Sequence, residues 1–226
     1  MISLKSVKVA FEGRTVLEDI NLDINEKRVG VIGWNGSGKS TFARLLNGLQ
    51  TPTAGSVTID GADTAKAGGH VRRKVGFVFQ NPDNQIVYPV VEEDLEFGLR
   101  NLNISKEERK RRIDEIFQQY GLDHLRSRMT HRLSGGEKQM IALMGVLVMH
   151  PEIIVLDEPT TLLDLKNKHN LLSVLHELPQ QIVMVTHDLE LLSDFDRVLF
   201  FHDGKLYADG EPEEVIATYR KVSGVC

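Results

Sequence analysis

Among 226 residues there is one cysteine, Cys226, with no partner elsewhere in the chain. A structural disulfide is excluded, and a reducing compartment fits best. Long apolar runs are missing too. The longest, Met140 to Met149, falls far short of the roughly 20 residues that a bilayer-spanning helix needs. Residues 1–8 lack the apolar region and small-residue cleavage pattern of a secretory signal, so the expectation is a cytoplasmic protein whose membrane role comes through a partner. Nor is there a basic excess: 27 Lys and Arg face 32 Asp and Glu, a net charge of −5, which argues against a nucleic-acid partner. Internal repeats, low-complexity tracts and Pro/Gly/Ser linkers are absent. His70, His124, His131, His150, His169, His176 and His202 show no metal-ligand spacing and read as structural.

What is present is an alternation of strands and helices. Residues 1–25 and 55–61 read as β hairpins, the second turning at Asp60-Gly61. Further strands are expected at 27–32, 75–79, 153–157, 181–186 and 198–201. Helices are expected at 39–49, 92–99, 106–120, 134–149, 165–177 and 211–220. Alternation of this kind implies an α/β fold with a mostly parallel sheet wrapped by helices. The helical block interrupts it, so residues 83–150 are expected to form an inserted helical subdomain between core segments 1–82 and 151–226 of a single domain. In the basic stretch 106–112, Glu107–Arg111 and Glu108–Arg112 are spaced as i,i+4 ion pairs on a solvated face.

Gly33-Trp34-Asn35-Gly36-Ser37-Gly38-Lys39-Ser40 fits G-x-x-x-x-G-K-[ST], after a strand and before a helix as that motif requires. Its glycines let successive N–H groups converge on a phosphate, and the helix dipole adds to their field. Lys39 supplies a full charge to the β- and γ-phosphates, and the Ser40 hydroxyl is a Mg²⁺ ligand candidate. The strand 153–156 delivers Asp157 and Glu158 to its C-terminal end, where ligands collect in open α/β sheets. Asp157 is placed to hold Mg²⁺ and Glu158 to polarise an attacking water; a plain helix cap is the structural alternative. His187 ends another strand, within reach of a γ-phosphate in the same crevice. Leu133-Ser134-Gly135-Gly136-Glu137 has the spacing of a capping box, and a helix start with two glycines and a serine is also an anion site.

In this order the motifs resemble those of the ATP-binding-cassette ATPases over essentially the whole chain. The correspondence runs from Walker A at Gly33–Thr41 to a Q-loop at Gln80, a signature at Leu133–Glu137 and Walker B at Ile153–Asp157. It continues with a catalytic carboxylate at Glu158, a D-loop from Pro159 to Asp164 and a switch histidine at His187. The resemblance implies the P-loop NTPase (RecA-like) fold with an antiparallel β subdomain, and hydrolysis of Mg-ATP. By it Phe11 takes the place of the adenine-stacking ring, where a core Phe of a hairpin is the alternative. It also implies a head-to-tail homodimer that sandwiches ATP. Ser134, Gly135, Gly136 and Glu137 would then serve the partner's nucleotide, Asp164 would cross the interface, and Gln80 would touch Mg²⁺ and sense a membrane subunit.

Three positions depart from the family pattern. Glu137 stands where Gln is usual, Leu162 where a small residue is usual, and Trp34, the only tryptophan, lies within the phosphate loop. The stretches 79–87 and 91–99 resemble the ATPases of energy-coupling-factor importers, which take up vitamins and transition-metal ions. Glu92, Glu93, Asp94 and Glu96 read either as an acidic rim for a transmembrane coupling subunit or as ordinary first-turn acids of a helix. The resemblance implies a peripheral protein on the cytoplasmic face of the membrane, with a coupling subunit and a substrate-capture subunit as partners. The short C-terminus favours a dedicated system, biotin first and cobalt or nickel second. A soluble, non-transport ATPase of the same family is the rival; the long coiled coil or the second cassette of such proteins does not occur here.

Overall fold

The computed structural model describes residues 1–100 and 102–224, so Cys226 lies outside the described residues. The chain forms two compact units. The first holds Met1–Phe77, Glu152–Glu158 and the chain from Gln180 on; the second holds Val78–Pro151 and Pro159–Pro179.

The first unit contains two sheets. Strands β1 (Ile2–Phe11) and β2 (Arg14–Ile24) pair as an antiparallel hairpin, joined by β4 (Ala54–Ile59) and β5 (Ala62–Asp63) in the order β2-β1-β4-β5. The other sheet has six strands: β3 (Arg28–Gly33), β6 (Val75–Val78), β7 (Ile153–Asp157), β8 (Gln181–Val185), β9 (Arg197–His202) and β10 (Lys205–Gly210). Their order is β10-β9-β3-β8-β7-β6. Strand β3 is parallel to both its neighbours, with Val29 opposite Val183 and Arg197, and β7 is parallel to β8. Burial on both faces explains why these strands read as continuous apolar runs: every residue of β7 is buried, as are Val29 to Gly33 of β3. Helix α1 (Lys39–Leu46) turns Phe42, Leu45 and Leu46 into this core, where Phe42 meets Phe201 with ring centroids 4.9 Å apart. It ends at Leu46 with Asn47 as its C-cap, and Gly48 follows at φ +71°, the Asn-Gly stop that the sequence predicts.

Two elements of this unit carry little sequence signal. Helix α2 (Gly68–Lys74) opens on two glycines and buries only Val71. Strand β10 has no fully buried residue and is held by its antiparallel ladder to β9. Helix α7 (Pro212–Val222) follows, with Pro at its first turn, where the missing N–H costs nothing.

The second unit is helical: α3 (Val91–Arg100), α4 (Lys106–Tyr120), α5 (Gly135–Leu147) and α6 (Leu165–Glu177). Helix α4 is closed at one end by Ser105, whose hydroxyl accepts from the Glu108 N–H at 3.1 Å, and at the other by Gly121 at φ +64°. Of the two expected ion pairs on α4, Glu108–Arg112 forms at 2.8 Å. Arg111 does not take Glu107. It pairs with Glu108 and Glu115 instead, because Glu107 is held at the first turn by backbone N–H and Ser105. Helix α6 belongs with these helices although it follows β7 in the chain.

Candidate functional site

The loop between β3 and α1 is shaped by glycines that no other residue could replace. Gly33 has φ +148°, and a Cβ there would stand 2.2 Å from the Phe201 carbonyl oxygen. Gly38, the N-cap of α1, has φ +101°, and its Cβ would meet Leu17 at 2.5 Å and the Val16 carbonyl at 2.9 Å. Left-handed backbone and close approach together exclude a side chain. At the helix start Lys39 is only 5% exposed, and its ammonium donates to the carbonyls of Gly33 at 2.7 Å and Trp34 at 2.9 Å. Burial pushes its pKa down, opposed by the nearby charges of Glu158 and Asp157.

Strand β7 carries Asp157 to the same place. Ser40 Oγ donates to Asp157 Oδ1 at 2.9 Å, so two oxygen donors lie side by side. Asp157 is 4% exposed, and burial raises its pKa against the lowering effect of the Ser40 hydrogen bond. The next residue, Glu158, leaves the strand at φ +50° while its N–H donates to the Val185 carbonyl at 2.9 Å. Its Oε1 stands 2.8 Å from Nε2 of His187, which follows β8. A non-glycine residue in the left-handed region costs roughly 1–3 kcal/mol and tends to occur where a side chain must be aimed. Here that conformation directs the Glu158 carboxylate to the imidazole.

An open cavity of ≈ 560 Å³ runs over the loop. Asn35, Gly36, Gly38, Lys39, Ser40, Thr41 and Glu158 line one part of it, and Phe11, Glu12, Arg14 and Val16 the other. Phe11 is 45% exposed at the end of β1, so its ring borders the cavity and is not sunk in the core of the hairpin. Glu12, Arg14 and Val16 did not stand out in the sequence. The signal for them is the tight turn at Glu12-Gly13, both at positive φ, which carries the residues flanking Phe11 to the same rim.

The remaining candidates lie in the helical unit. Ser134 is the N-cap of α5: its hydroxyl accepts from the Glu137 N–H at 3.3 Å, and Glu137 Oε2 accepts from the Ser134 N–H at 2.7 Å. The glutamate at this position thus completes a capping box. Its pKa is lowered by the Ser134 N–H and by Arg128, whose guanidinium lies 2.8 Å from the other carboxylate oxygen. Gly135 lies close to the Leu162 carbonyl, and a Cβ on Gly136 would fall 2.2 Å from the Asn167 side chain. Asn167 is held by Asp164, the N-cap of α6, through its N–H at 2.8 Å and its amide at 3.1 Å. Gly136 therefore packs closely on Asn167, which Asp164 holds by two hydrogen bonds, beside the exposed side chains of Leu162 and Leu165. Gln80 is exposed just after β6. The carbonyl and N–H of Phe79, next to it, are bonded by Gln139 and Gln85.

The family model described as "ABC transporter" matches residues 17–161. The chain is 47% identical to the biotin transport ATP-binding protein BioM of Rhizobium etli, over 98% of this chain and 99% of that one. It is 42% identical to the energy-coupling factor transporter ATP-binding protein EcfA1 of Halalkalibacterium halodurans, over 94% of this chain and 79% of that one. Among solved structures it is similar to the dimeric structure of MJ0796, a bacterial ABC transporter cassette. The TM-score is 0.82 at 30% identity, over 94% of this chain and 99% of that chain.

Proposed function

Since the chain belongs to the ABC transporter family and is an ATP hydrolase of that family, we propose that it drives uptake of a micronutrient, biotin, as the motor of an energy-coupling-factor importer. One observation carries the site assignment: the Ser40–Asp157 oxygen pair stands beside the glycine loop and Lys39, and the Glu158–His187 pair stands at the same strand ends. Loop N–H groups, the Lys39 ammonium and the start of α1 hold the triphosphate, and Phe11 offers its ring to the adenine. Ser40 and Asp157 are hard oxygen donors, and Mg²⁺ keeps most of its waters and asks for only one or two protein ligands, so the pair would fit it. When bound, the ion neutralises charge on the phosphates. Glu158 polarises the water that attacks the γ-phosphorus, and His187 orients that carboxylate and reaches toward the phosphate. The oxygen–phosphorus bond to water forms as the bond to the ADP oxygen breaks.

We assign Ser134, Gly135, Gly136, Glu137 and Asp164 to the nucleotide of a second copy, in a homodimer. The dimeric state of a similar cassette supports this reading, and so does the anion-binding character of a capped, glycine-rich helix start. The names of the BioM and EcfA1 relatives, ATP-binding proteins of transporters, support a peripheral place at the membrane; a transmembrane coupling subunit and a substrate-capture subunit are the partners we assign there. We assign the acids Glu92, Glu93, Asp94 and Glu96 on α3 to the coupling subunit's surface, although Asp94 also accepts from the Val87 and Tyr88 N–H groups at 2.8 Å, as a first-turn acid does. Co-expression with candidate membrane subunits, followed by ATP-dependent biotin uptake in vesicles, tests the whole reading. Uptake should vanish with Lys39→Ala. A complex that hydrolyses ATP but moves cobalt or nickel and no biotin would refute the cargo and leave the motor intact.

A further inference from the structure

Trp34 is an unusual residue for a phosphate loop, and its ring does not face the cavity described above. The indole enters an apolar cluster formed by Ile32 of β3, Leu192, Val198 and Phe200 of β9, and Val215 of α7. It meets Phe200 edge-on at 5.4 Å between centroids and His202 at 4.6 Å, and lies tilted on Tyr219 of α7 at 5.4 Å. Tyr219 in turn packs perpendicular to Phe200 at 5.2 Å. Aromatic pairs in such geometries contribute about 0.5–1.5 kcal/mol each beyond the area they bury, so the ring is firmly seated. On the backbone of the same residue, the Trp34 carbonyl accepts both the Lys39 ammonium at 2.9 Å and the Ser37 N–H at 3.1 Å. One end of Trp34 is therefore anchored to β9 and α7, and the other supplies one of the two carbonyls, with that of Gly33 at 2.7 Å, that hold the Lys39 ammonium.

We propose that Trp34 is a positioning residue and that α7, through Tyr219, braces the phosphate loop: the seated indole fixes one of the two carbonyls that aim Lys39. This rests on the reading that Gly33–Ser40 holds the phosphates of ATP. A displacement of about 1 Å in such a group is enough to weaken the grip on a ligand. Because the loop holds phosphate both before and during hydrolysis, loosening it reduces binding more than turnover.

The test measures the dissociation constant of a fluorescent ATP analogue with Mg²⁺, alongside the melting temperature, in the full-length chain. Tyr219→Ala should raise the dissociation constant at least about threefold, as should Trp34→Ala, while Tyr219→Phe and Trp34→Phe stay within about twofold of wild type. If Tyr219→Ala does not fold, Tyr219→Leu keeps the apolar volume without the ring and takes its place. An unchanged dissociation constant in the Tyr219 variant, whatever its melting temperature, overturns the brace, and so does equal loss in Tyr219→Phe. Lys39→Ala separates this from the reading beneath it. Wild-type affinity there would refute the phosphate site itself, whereas lost affinity there with unaffected Tyr219→Ala would refute only the brace.

Discussion

Glu158 and Asp157 are neighbours on one strand end, yet their surroundings give them different chemistry. Glu158 is turned out of the strand by a positive φ and meets His187, a group that can share a proton with it. Glu158→Gln keeps the shape and removes the proposed base, so steady-state ATP turnover should fall by about two orders of magnitude or more; turnover near wild type would remove Glu158 from that role. Asp157 is buried, and burial raises its pKa. A carboxyl whose folded pKa lies above its unfolded value destabilises the fold once ionised. That penalty is absent below the ordinary aspartate value and grows as pH rises through the folded one. Asp157→Asn should therefore raise the melting temperature at pH 7, an advantage that disappears in acid, while Mg-dependent hydrolysis is lost. Melting curves at pH 7 and below pH 4 check the first part, and an ATPase assay the second.

Among the elements, α5 and α4 show how local rules fix helix ends and faces. The capping box at Ser134 satisfies N–H groups at the start of α5 and leaves the serine exposed. Ser134→Ala should cost about 1 kcal/mol of stability, seen as a lower melting temperature, in addition to any loss of hydrolysis. On α4, two arginines hold the Glu108 carboxyl down from its ordinary 4.5 to about 2. A depressed carboxyl stabilises the fold above its unfolded value and loses that contribution as pH falls toward the folded one. Amide protection factors in α4, referred to the intrinsic exchange rate at each pH, should accordingly fall between pH 4.5 and about 2, and Glu108→Gln should flatten the change.

For the molecule as a whole, the decisive property is which chain completes which site. A chain carrying Ser134→Ala and one carrying Lys39→Ala should each hydrolyse poorly alone. On the proposed head-to-tail homodimer, mixing should give heterodimers in which one of two sites has a sound Lys39 and a sound Ser134, so ATPase activity should reappear. No recovery on mixing would place Ser134 in the service of its own chain.

Much of this protein was legible in the sequence because its signals are local. The spacing of the phosphate loop, the apolar run before Asp157, the capping box at Ser134 and the periodicity of α4 and α6 depend on residues within a few positions of one another, and the α/β class follows from their alternation. Short elements stabilised from outside were not legible. Helix α2 and strand β10 bury too little of their own to leave a pattern, and their order comes from the strands beside them. The same holds within the site, where Glu12, Arg14 and Val16 join the cavity only because a tight turn swings them there. Trp34 shows the division most clearly. Its position inside the phosphate loop is a fact of sequence, but the direction of its ring was decided by β9 and α7, more than 160 residues further along the chain. Local hydrogen bonding and steric preference are written residue by residue; packing between distant segments exists only once the chain has folded.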